Sequence, residues 1–308
     1  MISKHGDADY VTQGPMYKNA NAFHQNFDEI YDVERLVKSL DAVVKVVKHQ
    51  PSEISTRIPA VVKVPNLVAE EFIAKKIEPV FRTKGNIRLA TYFPSVNMRK
   101  TEENSKIDSV ACMAMFGSLN LQPAVREVVD SMIERLRTLS RKANGELIAV
   151  ELRVDILEKK GCQGSGTSRS KSCYSPQEIA LFLRKIGFDK DSTLYLTQYS
   201  SLDALKDFFP KTYAKEGIIP TDKMERFLNS EASELEKVID FYISTTESVV
   251  FVPAISGLFY ANVAGQRIAS GRTQILIPAN IPGSSATSVD FVSHYVTKRN
   301  HFAYSCFC

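Results

Sequence analysis

From residue 123 onward the chain alternates short apolar runs with amphipathic stretches, and that alternation leaves few folds open. Within residues 123–139, Val125, Val128, Val129, Met132, Ile133, Leu136 and Leu139 recur at helical spacing, which predicts one buried face. Pro123 suits the first turn and Asn144-Gly145 the exit. The run Leu147-Ile-Ala-Val-Glu-Leu-Arg-Val154 follows that exit and reads as a buried parallel strand. Ser175-Pro-Gln-Glu178 predicts a capping box with proline at the first helical position. The helix it opens buries Ile179, Phe182, Leu183 and Ile186 and stops at Gly187. Further strands are expected at 193–197, 249–252 and 275–277, and further helices at 202–208, 233–243 and 257–268. The pattern predicts a doubly wound parallel sheet with right-handed crossovers, whose ligands lie beyond the carboxyl ends of the strands. The residues just after Val154, Leu196 and Val252 are therefore the ones to examine.

The first half is less regular. Helices are expected at 29–40, 67–81 and 107–115, and strands at 43–47, 60–64 and 87–92. Residues 1–26 are polar and contain no apolar strand followed by an amphipathic helix. They read either as a poorly ordered leader or as the place where an opening βα unit is missing. The expected division is this leader, a partial N-terminal α/β domain over 27–145 and a C-terminal α/β domain over 146–308. A length of 308 residues suits two such domains, and 44% hydrophobic with 24% charged residues is ordinary globular composition.

Several function classes find no support. The net charge of +4 is small and dispersed, and the aromatic residues fall at core periodicity, so no nucleic-acid surface is expected. An anionic small ligand suits the charge equally well. No apolar run fits a signal peptide or a membrane span. Among five cysteines, Cys162 and Cys173 flank a Gly/Ser-rich loop and could close it, whereas Cys306 and Cys308 stand too close to pair easily. The Asp7-Ala-Asp9 and Asp189-Lys-Asp191 pairs read as turn residues, and no metal site is expected. There is no P-loop, no G-x-G-x-x-G fingerprint and no hydrolase triad.

Several segments, taken in order, resemble the plant O-fucosyltransferase-like family, with its mannan-synthesis-related branch nearest. Phe27-Asp-Glu-Ile-Tyr-Asp-Val33 is similar to that family's F-x-x-I-Y-D-V. Val150-Glu-Leu-Arg-Val-Asp155 with Gly161-Cys162 is similar to its H-L-R-x-E…G-C. Ser175-Pro-Gln-Glu178 through Gly187-Phe188, Phe208-Phe-Pro210, and Phe251-Val-Pro253 with Ala264-Gly-Gln-Arg267 are similar to its T-P-E-E…L-G-F, F-P and F-V-P…A-G-x-R. The resemblance implies a GT-B architecture: two Rossmann-like domains with parallel sheets, here with the N-terminal one incomplete, and the nucleotide-sugar donor on the C-terminal one. It further implies a GDP-sugar, most simply GDP-fucose, a protein or glycan acceptor, a Golgi-lumenal setting and no metal cofactor.

The residues' own chemistry fits that expectation in places. Arg153, at the end of a strand, would grip a diphosphate and stabilise the leaving phosphate. Its alternative is a surface pair with Asp155 or Glu158. Asp155 would orient Arg153 or act as a general base. Ser256-Gly257 precede a helix and offer a hydroxyl and free N–H groups to a phosphate, or simply cap the helix. Arg267 would reach the phosphates or merely cover its helix. Asp240 matches a family aspartate that would meet the base or ribose, and Thr197 and Gln198 follow a strand at the ligand end. Glu151 replaces the family's histidine and cannot donate to a phosphate when ionised.

Two functions follow. One is a metal-independent, inverting glycosyltransferase. The other is a non-catalytic relative that partners other polysaccharide synthases, an idea motivated by Glu151 and by the missing Gly-Gly-x-Asn-Gln segment of the family's opening unit.

Overall fold

A computed structural model describes residues 27–41, 58–64, 70–91, 98, 112–142, 145–152, 174–228, 233–246, 249–254, 257–279, 281 and 287–307. The Phe27-Asp-Glu-Ile-Tyr-Asp-Val33 segment packs rather than protrudes. Ile30 is buried, and the Phe27 and Tyr31 rings lie 4.9 Å apart. Asp32 caps α1 (Val33–Leu40), its carboxylate accepting from the Arg35 N–H at 2.9 Å. That cap, and the bridge from Tyr31 to Leu121, break the single helix expected over 29–40.

β1 (Ala60–Val64) and β2 (Ile87–Thr91) pair in parallel, as the expected strands allow. The helical run between them contains a π turn, Ile73–Ile77, before α2 (Glu78–Lys84). Pro79 explains it: proline lacks an N–H, and its ring crowds the carbonyl four residues back. The wider turn, closed by the Glu78 N–H on the Ile73 carbonyl, accommodates that ring. The strand expected at 43–47, residues 67–69 of the second helix and residues 107–111 of the third lie outside the described residues.

α3 (Pro123–Arg141) buries Val125, Val128, Val129, Met132 and Leu136, the face its spacing predicts. It precedes the boundary expected after residue 145, yet it packs on the sheet that follows it. That sheet comprises β3 (Leu147–Glu151), β4 (Thr193–Leu196), β5 (Thr212–Ala214) and β6 (Val249–Pro253), all parallel, in the order β5-β4-β3-β6. Ile275 bridges Phe251 in parallel beyond β6 and Leu276 bridges Val292 in antiparallel, so the last expected strand is reduced to two isolated bridges. β3 is buried at every position because both faces are covered. Leu147 and Ala149 face α3, α6 (Ser233–Ser244) and α7 (Leu258–Ala269). Ile148, Val150 and Leu152 face α4 (Pro176–Lys185) and α5 (Leu202–Lys206). The capping box at Ser175 and Glu178 forms in both directions. This is an α/β fold with parallel sheets, consistent with the expected GT-B-like class.

The chain closes in a clasp. Cys306, on α8 (Ala303–Phe307), is disulfide-bonded to Cys112 and so does not stand alone beside Cys308. α8 and the preceding residues pack on α7, where a Cβ at Gly265 would lie 2.7 Å from both the His301 and Phe116 rings. Glycine is therefore required for that approach.

His301 is fully buried; its Nδ1 accepts from the Ala303 N–H and its Nε2 donates to the Ala261 carbonyl. Burial pulls its pKa down from 6.5 to about 4. The folded state thus favours the neutral ring. Its contribution is complete above pH 6.5 and is lost as pH falls towards 4. Wild-type protein should lose about 3 kcal/mol more unfolding free energy than His301→Gln over that interval, read by urea titration. Parallel pH profiles of the two proteins would refute this.

Candidate functional site

The order β5-β4-β3-β6 places a reversal between β3 and β6, since the chain winds outward from β3 in both directions. Ligands of doubly wound sheets bind in the crevice outside the carboxyl ends at such a reversal. Here those ends are Glu151 and Leu152 on β3 and Pro253 and Ala254 on β6. The Ala254 N–H donates to the Glu151 carbonyl at 3.0 Å, and the Tyr174 N–H to the Ala254 carbonyl at 3.1 Å. α7 begins at this end. Gly257 is its N-cap, in an extended conformation and with no side chain to cap the first turn. The first N–H groups and the positive end of the helix dipole are thus at the crevice.

Arg153 and Asp155, the first residues beyond Leu152, and Ser256, just before Gly257, lie outside the described residues, as do Cys162 and Cys173. Glu151 is buried at the end of β3. Gln198 is half-buried at the start of the short turn Tyr199–Ser201. Thr197 is at the predicted end of the sheet, but its hydroxyl is engaged by the protein: it accepts from the Leu152 N–H at 3.1 Å and donates to the Leu152 carbonyl at 3.2 Å. The donor contact expected of that hydroxyl is replaced by a contact to β3.

Two expectations are corrected. Arg267 is 1% exposed and sits at the opposite end of the sheet. α7 runs back along β6, so Arg267, nine residues after Leu258, lies about 14 Å from the helix start. Its guanidinium donates to the carbonyls of Ser244, Thr246, Val249 and Gln274 at 2.7–3.3 Å. Burial lowers its pKa to about 10, so it stays charged at neutral pH as a cation solvated by carbonyls. Asp240 is 7% exposed, and both of its oxygens are used internally. Oδ1 accepts from the Tyr195 hydroxyl and Oδ2 from Lys215 Nζ at 2.9 Å. The carboxylate anchors a buried lysine rather than facing a base or ribose.

Lys215 was not foreseen from the sequence. It follows β5 at the carboxyl end, is 4% exposed, and also donates to the Thr197 carbonyl at 3.0 Å. A lysine directly after a strand was the available signal, but a three-residue strand has no periodicity to reveal it.

The crevice can therefore receive an anion at a helix start, with a fixed backbone on the β3 side. Among the described residues no cluster of three His, Cys, Asp or Glu could hold a metal ion. No described helix is long and apolar enough to cross a membrane. A cavity of about 480 Å³ is lined by Glu146, Leu147, Val250 and Gln274 among others. It opens at the amino ends of the strands, which argues against its being the donor site.

The profile of a family described as GDP-fucose protein O-fucosyltransferase matches residues 12–269. Protein MANNAN SYNTHESIS-RELATED 2 of Arabidopsis thaliana is 59% identical over 285 residues, which cover 92% of this chain and 67% of that protein. Protein MANNAN SYNTHESIS-RELATED of Trigonella foenum-graecum is 44% identical, covering 96% of this chain and 72% of its own length. O-fucosyltransferase 11 of Arabidopsis thaliana is 24% identical, covering 82% of this chain and 50% of its own length. No solved structure matches the chain.

Proposed function

Because the chain belongs to the GDP-fucose protein O-fucosyltransferase family, we propose that it transfers a sugar, most simply fucose, from a GDP-sugar to a protein or cell-wall glycan acceptor. The observation that carries this reading is the reversal of strand order between β3 and β6, with the uncapped start of α7 beside it. Arg153 is placed by the sequence two residues past the end of β3. In this reading an acceptor hydroxyl attacks the anomeric carbon. The bond from that carbon to the diphosphate oxygen breaks, and GDP leaves with the electron pair. The hydroxyl proton passes to a base, for which Asp155 is the candidate. Arg153 and the α7 N–H groups offset the charge that develops on the diphosphate, with no metal needed. The setting is the Golgi lumen; the Cys112–Cys306 disulfide favours such an oxidising compartment.

Calorimetric titration with GDP tests this. The folded chain should bind GDP, and Arg153→Ala should weaken binding by roughly 2 kcal/mol, as expected for loss of a charge-assisted contact. A folded chain without GDP affinity would refute the donor reading.

Glu151 favours a second reading. A buried acid beside the diphosphate position opposes an anion, whereas the family's histidine would donate to one. The chain would then be a non-catalytic partner of polysaccharide synthases, consistent with the names of its mannan-synthesis-related relatives. Transfer assays with Arg153→Ala separate the two, since only an enzyme has activity to lose.

A further inference from the structure

We propose that Thr197, held from behind by Lys215, is a positioning residue for the crevice between β3 and β6. The inference rests on the donor reading given above. The Thr197 N–H donates to the Val150 carbonyl at 3.2 Å, which carries the β3–β4 ladder one residue past the end of β4. Its hydroxyl then takes up both backbone polar groups of Leu152, the residue at which β3 leaves the sheet. A single hydroxyl, accepting from the Leu152 N–H and donating to the Leu152 carbonyl, restrains the two peptide groups that flank Leu152. Leu152 stands at the carboxyl end of β3, beside the crevice to which the donor reading assigns the diphosphate.

Thr197 is itself braced. Its carbonyl accepts from Lys215 Nζ, and that ammonium is held by Asp240, whose other oxygen accepts from the Tyr195 hydroxyl. Lys215 follows β5, Thr197 follows β4 and Leu152 follows β3, so the relay crosses the carboxyl ends of three adjacent strands. Side chains buried in this way are poor ligands. They serve well to hold a neighbouring backbone, because each has one allowed geometry in a closely packed interior.

Thr197→Val tests the inference, since valine keeps the shape and loses the hydroxyl, and Thr197→Ser is the conservative variant that restores it. In the full chain, Thr197→Val should weaken GDP binding about tenfold by calorimetry, because a small misplacement of a binding group costs affinity steeply. The Leu152 amide should exchange with solvent faster, and the thermal midpoint should fall by a few degrees in Thr197→Val and return in Thr197→Ser, because Leu152 is buried and loses its side-chain partner. Thr197→Ser should bind GDP like the wild type. Unchanged GDP affinity in Thr197→Val overturns the inference, as does an unchanged exchange rate at Leu152. A wild-type chain that binds no GDP overturns the donor reading and this inference with it.

Discussion

Arg267→Met is expected to lower the unfolding free energy by about 3–5 kcal/mol while leaving any GDP affinity of the folded protein unchanged. The guanidinium is the donor for carbonyls of four residues that meet at the amino end of β6. Ser244 and Thr246 lie where α6 ends and the chain turns back, Val249 opens β6, and Gln274 precedes the bridge at Ile275. Methionine fills part of the volume but supplies no N–H, so several buried carbonyls lose their partner at once. Lysine at the same position carries one compact ammonium and cannot span both sides of the junction, so Arg267→Lys should recover only part of the loss. Urea unfolding of the three proteins, with GDP titration of each folded form, separates this role from donor binding. A variant with wild-type stability and weakened GDP affinity would contradict the geometry. The A-G-x-R stretch then reads as structural at both of its distinctive positions. Gly265 admits the His301 and Phe116 rings, and Arg267 ties the start of β6 to its neighbours.

The same contrast shows what was legible beforehand. Periodicity and punctuation placed α3, α4, α6, α7, β3, β4 and β6, because each combines a buried face with a local signal. The Ser175 box, Pro123 at a helix start and Gly187 with φ 104° past a helix end are examples. The parallel alternation points to the carboxyl end of the sheet as the ligand end, whereas the strand order, and with it the reversal between β3 and β6, comes from the structure alone. Side-chain direction was not legible. Arg267 and Asp240 were charged residues at suggestive positions, yet linear spacing does not tell whether a helix carries its residue towards the crevice or away from it. The partner of Cys306 was equally hidden, because Cys112 is 194 residues away in sequence. β5 and Lys215 escaped because three residues are too few to show a period.

Lys215→Met should cost about 3–5 kcal/mol above roughly neutral pH, and the penalty should shrink on acidification to about pH 5. Lys215 Nζ lies 2.9 Å from Asp240 and 3.8 Å from Glu236, and its side chain is nearly inaccessible. Burial raises the Asp240 pKa to about 6, with Lys215 pulling it the other way. A carboxyl whose folded pKa lies above its ordinary 3.8 favours the folded state below that value. The contribution is lost as pH rises through about 6, a value that already includes the downward pull of Lys215. Without the ammonium only the Tyr195 hydroxyl still favours the carboxylate, so the folded pKa rises further and the carboxyl must keep a proton or remain buried and charged without its cation. The difference between wild type and variant therefore widens as pH increases. Adding Asp240→Asn should restore much of the stability at neutral pH, because the amide oxygen still accepts from Tyr195 and no charge is left unpaired. Urea unfolding of wild type, single and double variants between about pH 5 and 8 decides the matter, since a pH-independent penalty, or a double variant no more stable than the single one, would mean that the buried pair is not ionised as described.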